Sequence, residues 1–285
     1  MTQKNKDGFL DVGRGHKIYW ESLGNPEAPP LFLIHGGHGY IFDVNKMSAV
    51  DFQNRHVIVM HQRGIGKSTC DGDVLNGNTI AENTMDIERL RLHLNLGQID
   101  LFSWSFGAVF MTHYAAQYPQ NCRSLTSYAP YLASEDDWDI VTRTYAAMGK
   151  NYLQEKGASA TYAGYCRDNF NKVAAKPDAT AADKISAYLE HEALNGYPPN
   201  WLAHETAFAR LDRIPVTLIF GANDVWVANN PNVQRVYPKA SVVTVADASH
   251  DVHEPNVQKV LESVISDNQQ RPRDATAPKK LGPIG

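Results

Sequence analysis

"LFSWSFGAVF", residues 101–110, runs from an apolar stretch into a helix-like one through a serine with small neighbours. Ser-x-Ser-x-Gly differs by one letter from G-x-S-x-G, the turn that lifts a nucleophilic serine out of a strand-to-helix corner. Such a corner brings the residues two before and two after its central residue close together, so both must be small. Centred on Ser105 they are Ser103 and Gly107, whereas centring on Ser103 would put Leu101 in one of those places. Ser105 is therefore the candidate nucleophile and Ser103 a tolerated small residue.

On either side of this corner the chain alternates strand and helix signals. "LFLIHGG" and "HVIVMHQRG" are continuous apolar runs ending in glycine, as in strands buried on both faces of a parallel sheet. "FLDV" and "HKIYWESLG" alternate apolar and polar residues around "GRG" and read as an antiparallel hairpin. "NTMDIERLRLHLNLG" predicts a crossover helix ending at Gly97, and "PNVQKVLESVISD" predicts an amphipathic closing helix behind Pro255. "CRSLTSYAP", "VTLIFGAND" and "SVVTVADASH" add three more buried-strand candidates. This alternation makes the fold class α/β. The predicted organisation is a core over 1–130, a helical cap over 131–210, the rest of the core over 211–266 and a proline-rich disordered tail over 267–285.

A serine needs partners, and triad order on such a sheet is Ser, Asp, His, with acid and base just past later strands. Asp224 ends "VTLIFGAND", and His250 ends "SVVTVADASH" one helix and one strand later. His253 is the rival base, closer to the closing helix. Asp212, Asp247 and Asp251 are rival acids; the first precedes its strand, and the other two lie too near His250 to orient it from a neighbouring strand. The glycines of "HGGHG", residues 35–39, let backbone amides approach a substrate carbonyl, so the oxyanion hole is expected at the amides of Gly37 and Phe106. His35 reads as a brace for that loop. His35, His38 and His61 could in principle hold zinc, but no carboxylate or thiol stands at a supporting spacing, so the expectation is a site without metal or cofactor.

Composition narrows the partners. The 285 residues carry 27 Lys and Arg against 31 Asp and Glu, a formal charge of −4 that offers nothing to nucleic acid. Three separated cysteines, a polar N-terminus and no long apolar run point to a reduced, cytoplasmic protein off the membrane, acting on a small molecule or short peptide.

These motifs together resemble the prolyl aminopeptidase branch of the α/β-hydrolases. The likeness covers "LFLIHGGHG", "HQRGIGKST", "NTMDIERLRLHLNL" and "FSWSFGA", and resumes at "GANDVW" and "ASHDVHEP". It implies an α/β-hydrolase fold, a mostly parallel sheet with helices on both faces and a helical cap, with Ser105, Asp224 and His250 as nucleophile, acid and base. Against the family's HGGPG, DQRGxGxS and GGSWG, four positions depart: His38 replaces Pro, His61 Asp, Ser103 Gly and Phe106 Trp. Family caps hold the substrate's amino group with glutamates, for which Glu205 and Glu192 are the candidates here, with His38 a further substrate contact. Three functions compete: a serine hydrolase of aminopeptidase type, a carboxylesterase or lactonase with the same machinery, and a non-catalytic receptor.

Overall fold

The computed structural model describes residues 4–37, 39–132, 161–195, 211–227 and 231–270. His38 and Glu205 lie outside them. Within the described residues nine strands form one sheet: Lys4–Gly13 (β1), His16–Gly24 (β2), Pro30–Ile34 (β3), His56–Met60 (β4), Thr69–Cys70 (β5), Ile99–Trp104 (β6), Cys122–Tyr128 (β7), Val216–Gly221 (β8) and Ser241–Val245 (β9). Their order is β1-β2-β4-β3-β6-β7-β8-β9, with the short β5 also paired to β2. The hairpin at one edge is antiparallel, and every pair from β4 through β9 is parallel.

Both faces of the central strands are covered, because the residues that alternate along them are apolar in both directions. Phe32, Ile58 and Leu101 share a core with the helices Ile80–His93 (α1) and Gly107–Gln117 (α2). Leu33, Val59 and Phe102 point the other way, against Val257, Leu261 and Ile265 of the closing helix. Between β7 and β8 the described chain contributes Tyr162–Ala174 (α3) and Ala181–Asn195 (α4), each begun by a threonine. Thr161 Oγ1 accepts from the Gly164 amide at 3.0 Å. Thr180 and Asp183 form a reciprocal capping box, with bonds of 2.9 and 3.1 Å. After β8 come Pro231–Val236 (α5) and Pro255–Gln270 (α6), the latter with its proline in the first turn, as its position in the sequence suggests.

Three features differ from the sequence reading. The crossover helix stops at His93, well before Gly97, because Asn95 takes the left-handed conformation (φ 53°) and the Leu96 and Asn95 amides return to Arg91 O and Leu92 O. Strand β9 is not a buried strand: it is the sheet's outer edge, with only Val245 buried. The closing helix runs to Gln270, into the segment read as a tail, because Asn268 is buried there and its side-chain amide donates to Thr126 Oγ1 at 3.1 Å.

Candidate active site

Strand β6 ends at Trp104 and α2 begins at Gly107, so Ser105 occupies the corner between them with φ 53°, a left-handed backbone that a serine adopts only where its surroundings hold it. Its amide donates to Tyr128 O at 3.0 Å. Close packing explains Gly107: a β-carbon there would lie 2.6 Å from Ile34 O and 2.7 Å from His35 O. Ser103, on β6 before the corner, is fully buried, its Oγ 2.7 Å from that of Ser127 on β7. The two serines of the opening motif thus part company, one facing the sheet interior and one the site.

Ser105 Oγ lies 2.9 Å from His250 Nε2, and His250 Nδ1 lies 2.8 Å from Asp224 Oδ2. The carboxylate fixes the tautomer: Nδ1–H donates to Asp224, leaving Nε2 to accept from the serine hydroxyl. Asp224 is itself buried, and its other oxygen accepts from the Trp226 and Val227 amides at 2.8 and 3.1 Å. Both loops grow from neighbouring parallel strands, β8 and β9, which is why residues far apart in the chain meet here. Trp104 Nε1 donates to His250 O at 2.8 Å and steadies the histidine loop.

The rivals have other duties. His253 Nε2 accepts from the Asp43 amide at 3.2 Å while its Nδ1–H donates to Asp251 Oδ1 at 3.0 Å, so it joins the histidine loop to the segment that follows the glycine loop. Asp212 pairs with Lys239 at 2.7 Å.

The glycine loop packs against the serine corner. A β-carbon on Gly36 would lie 3.2 Å from Ser105 Cβ, and one on Gly37 would lie 3.5 Å from Phe106 Cβ. His35 braces it, as its place at the strand end suggests: Nδ1–H donates to Gly36 O at 2.8 Å, and Nε2 accepts from the Gln62 amide at 3.1 Å. Complete burial pushes the His35 pKa down to about 4, so the ring is neutral and both nitrogens are engaged. His61 is likewise held at about 4, mainly by burial, and its Nδ1 accepts from the Lys67 amide at 2.9 Å. Among the described residues no three His, Cys, Asp or Glu side chains gather as a metal site would require.

Beside the glycine loop is a small pocket, with Gly37, Gln62 and Phe106 on the core side and Ile185, Ser186 and Leu189 of α4 opposite. Glu192 does not line it. Its Oε2 accepts from the Ile80 amide at 2.6 Å, and burial raises its pKa to about 7. That differs from the expectation of a carboxylate offered to substrate. Gln62, Trp104 and Ser186 escape the sequence reading, although Gln62 stands in "HQRG" and Trp104 in "FSWSFGA"; Ser186 stands in no motif.

A family model described as the alpha/beta hydrolase fold matches residues 29–257. The chain belongs to the α/β-hydrolase fold family. Among relatives of this α/β-hydrolase, a putative proline iminopeptidase of Mycoplasma genitalium is 30% identical, over 72% of this chain and 68% of the relative. A proline iminopeptidase of Neisseria gonorrhoeae is 24% identical, over 94% of this chain and 97% of the relative. In three dimensions it is similar to a proline iminopeptidase-related protein of Thermus thermophilus, with a TM-score of 0.64 at 20% identity, covering 93% of this chain and 98% of that one. Within this α/β-hydrolase the departures at Ser103 and His61 are absorbed locally, by the Ser127 hydroxyl and by the Lys67 amide. No described helix is long and apolar enough to cross a membrane.

Proposed function

We propose that the protein is a serine hydrolase that cleaves a small amide or ester through an acyl-enzyme, in the manner of a prolyl aminopeptidase. The observation that carries the reading is the continuous relay from Ser105 Oγ through His250 to buried Asp224, built on a left-handed serine corner. His250 Nε2 takes the hydroxyl proton as Ser105 Oγ attacks the carbonyl carbon, and Asp224 stabilises the imidazolium. The negative oxygen is received by the amides of Gly37 and Phe106, donors aimed at charge that develops only in the transition state. As the tetrahedral species collapses, the leaving amine or alcohol takes the proton from His250. Water, deprotonated by the same nitrogen, then releases the acyl group from Ser105.

The names of the relatives favour a substrate with a free terminal amine. A buried ammonium requires a carboxylate partner, and Glu205, outside the described residues, is the candidate for it. The second reading, an esterase acting on a neutral acyl group, is favoured by one observation: the described pocket wall carries no charged side chain. A matched pair of aminoacyl esters, free and N-acetylated, separates the two. The aminopeptidase reading expects kcat/KM to fall by at least about tenfold on acetylation; comparable values overturn it and leave the pocket to neutral acyl groups. Absence of turnover with every ester, together with no labelling of Ser105 by a fluorophosphonate, would overturn both and favour a receptor.

A further inference from the structure

Helix α4 touches the site at one end and the core at the other. A β-carbon on Gly39 would lie 3.3 Å from Ala182 Cβ, and one on Gly37 would lie 3.7 Å from Ser186 Oγ, so the helix packs directly on the glycine loop. Ala182, Ser186 and Leu189 follow at helical spacing, and Glu192 continues the same stripe. Its carboxylate reaches the first turn of α1, where the Ile80 amide has no partner within its own helix. Thr79 Oγ1 serves the Glu82 amide, 3.1 Å away, and leaves Ile80 for Glu192. A carboxylate at a helix N-terminus is also favoured by the positive end of the helix dipole. The bond is buried and joins residues 112 apart in sequence.

We propose that Glu192 is a positioning residue whose bond to the Ile80 amide fastens α4 to α1 and thereby fixes the width of the pocket beside Gly37. The pocket's role as the acyl site rests on the function proposed above; the latch itself does not. A helix is stiff over the roughly 15 Å from Ala182 to Glu192, so loosening one end moves the wall formed by Ile185, Ser186 and Leu189. The wall's position then decides how large an acyl group fits.

The test compares Glu192→Ala, Glu192→Gln and Thr79→Ala with the unaltered protein. It uses nitrophenyl acetate and nitrophenyl hexanoate, together with hydrogen–deuterium exchange over residues 181–195. Glu192→Ala should raise the hexanoate-to-acetate ratio of kcat/KM by about threefold or more and speed exchange across α4. Glu192→Gln, whose side-chain oxygen still accepts from Ile80, should restore both. Thr79→Ala frays the end of α1 that carries the Ile80 amide and should shift both readouts in the same direction as Glu192→Ala, by less. Unchanged exchange across α4 in Glu192→Ala, or no restoration in Glu192→Gln, overturns the latch. If the unaltered protein cleaves neither ester, the acyl-site reading fails and exchange alone judges the latch.

Discussion

The hydroxyl of Ser103 lies 2.7 Å from that of Ser127 across the β6–β7 pair, so the serine in place of the usual first glycine is engaged in a bond inside the sheet. Ser103→Ala should therefore keep most activity and lower stability by about 1 kcal/mol, the usual net contribution of a buried hydrogen bond. Ser105→Ala should abolish turnover and fluorophosphonate labelling while the melting temperature stays within a few degrees. A dead Ser103 variant beside an active Ser105 variant would reverse the assignment.

His250 and His253 should separate as cleanly. His250→Ala removes the group that accepts the serine proton, so kcat should fall by about a thousandfold or more. His253→Ala removes the tie to the Asp43 amide, costing on the order of 1 kcal/mol of stability and less than about tenfold in kcat/KM. Equal losses would reopen the choice of base.

Gly107→Ala is expected to be among the most damaging single substitutions of the corner. The added carbon would meet two backbone carbonyls at 2.6 and 2.7 Å, and backbone cannot swing aside as a side chain can. A loss of about 3 kcal/mol or more follows, read as a lowered urea midpoint or as insoluble protein. A variant as stable as the parent would mean that the turn is looser than described.

Acid should unfold the protein through its buried imidazoles. His35, His61 and His113 are each held at about 4 by burial, against an ordinary value of 6.5. Between those values the unfolded chain binds more protons than the folded one. Stability is therefore fully present above about pH 6.5 and is lost as pH falls toward 4, by on the order of 3 kcal/mol for each ring. Glu192 works in the opposite sense, since its folded value of about 7 exceeds the ordinary 4.5 and its charged form is disfavoured in the fold. Urea midpoints measured from pH 7 to pH 4.5 should fall steeply; a flat profile would show that these rings are not held neutral.

Most of the architecture is legible because the central strands are apolar on both faces, a pattern that "LFLI" and "HVIVM" display without any tertiary information. Ser105, Asp224 and His250 are legible for a related reason: each stands just past such a run, where a parallel sheet delivers its loops. Strand β9 reads as buried because an edge strand with valines looks like an inner one until its missing neighbour is known. The end of α1 reads too late because Asn95, and not glycine, takes the left-handed position. Glu192 reads as a substrate contact because its partner is a backbone amide, which has no letter in the sequence.

The segment containing α3 and α4 enters between β7 and β8, strands that pair side by side, and the serine precedes it while the aspartate and histidine follow. During synthesis Ser105 therefore leaves the ribosome 145 residues before His250. At about 5 to 20 residues per second, that interval lasts roughly 7 to 30 seconds. Throughout it Ser105 is without the imidazole that lies 2.9 Å from its hydroxyl in the folded protein, so the Ser105–His250 contact is assembled only after β9 has been made.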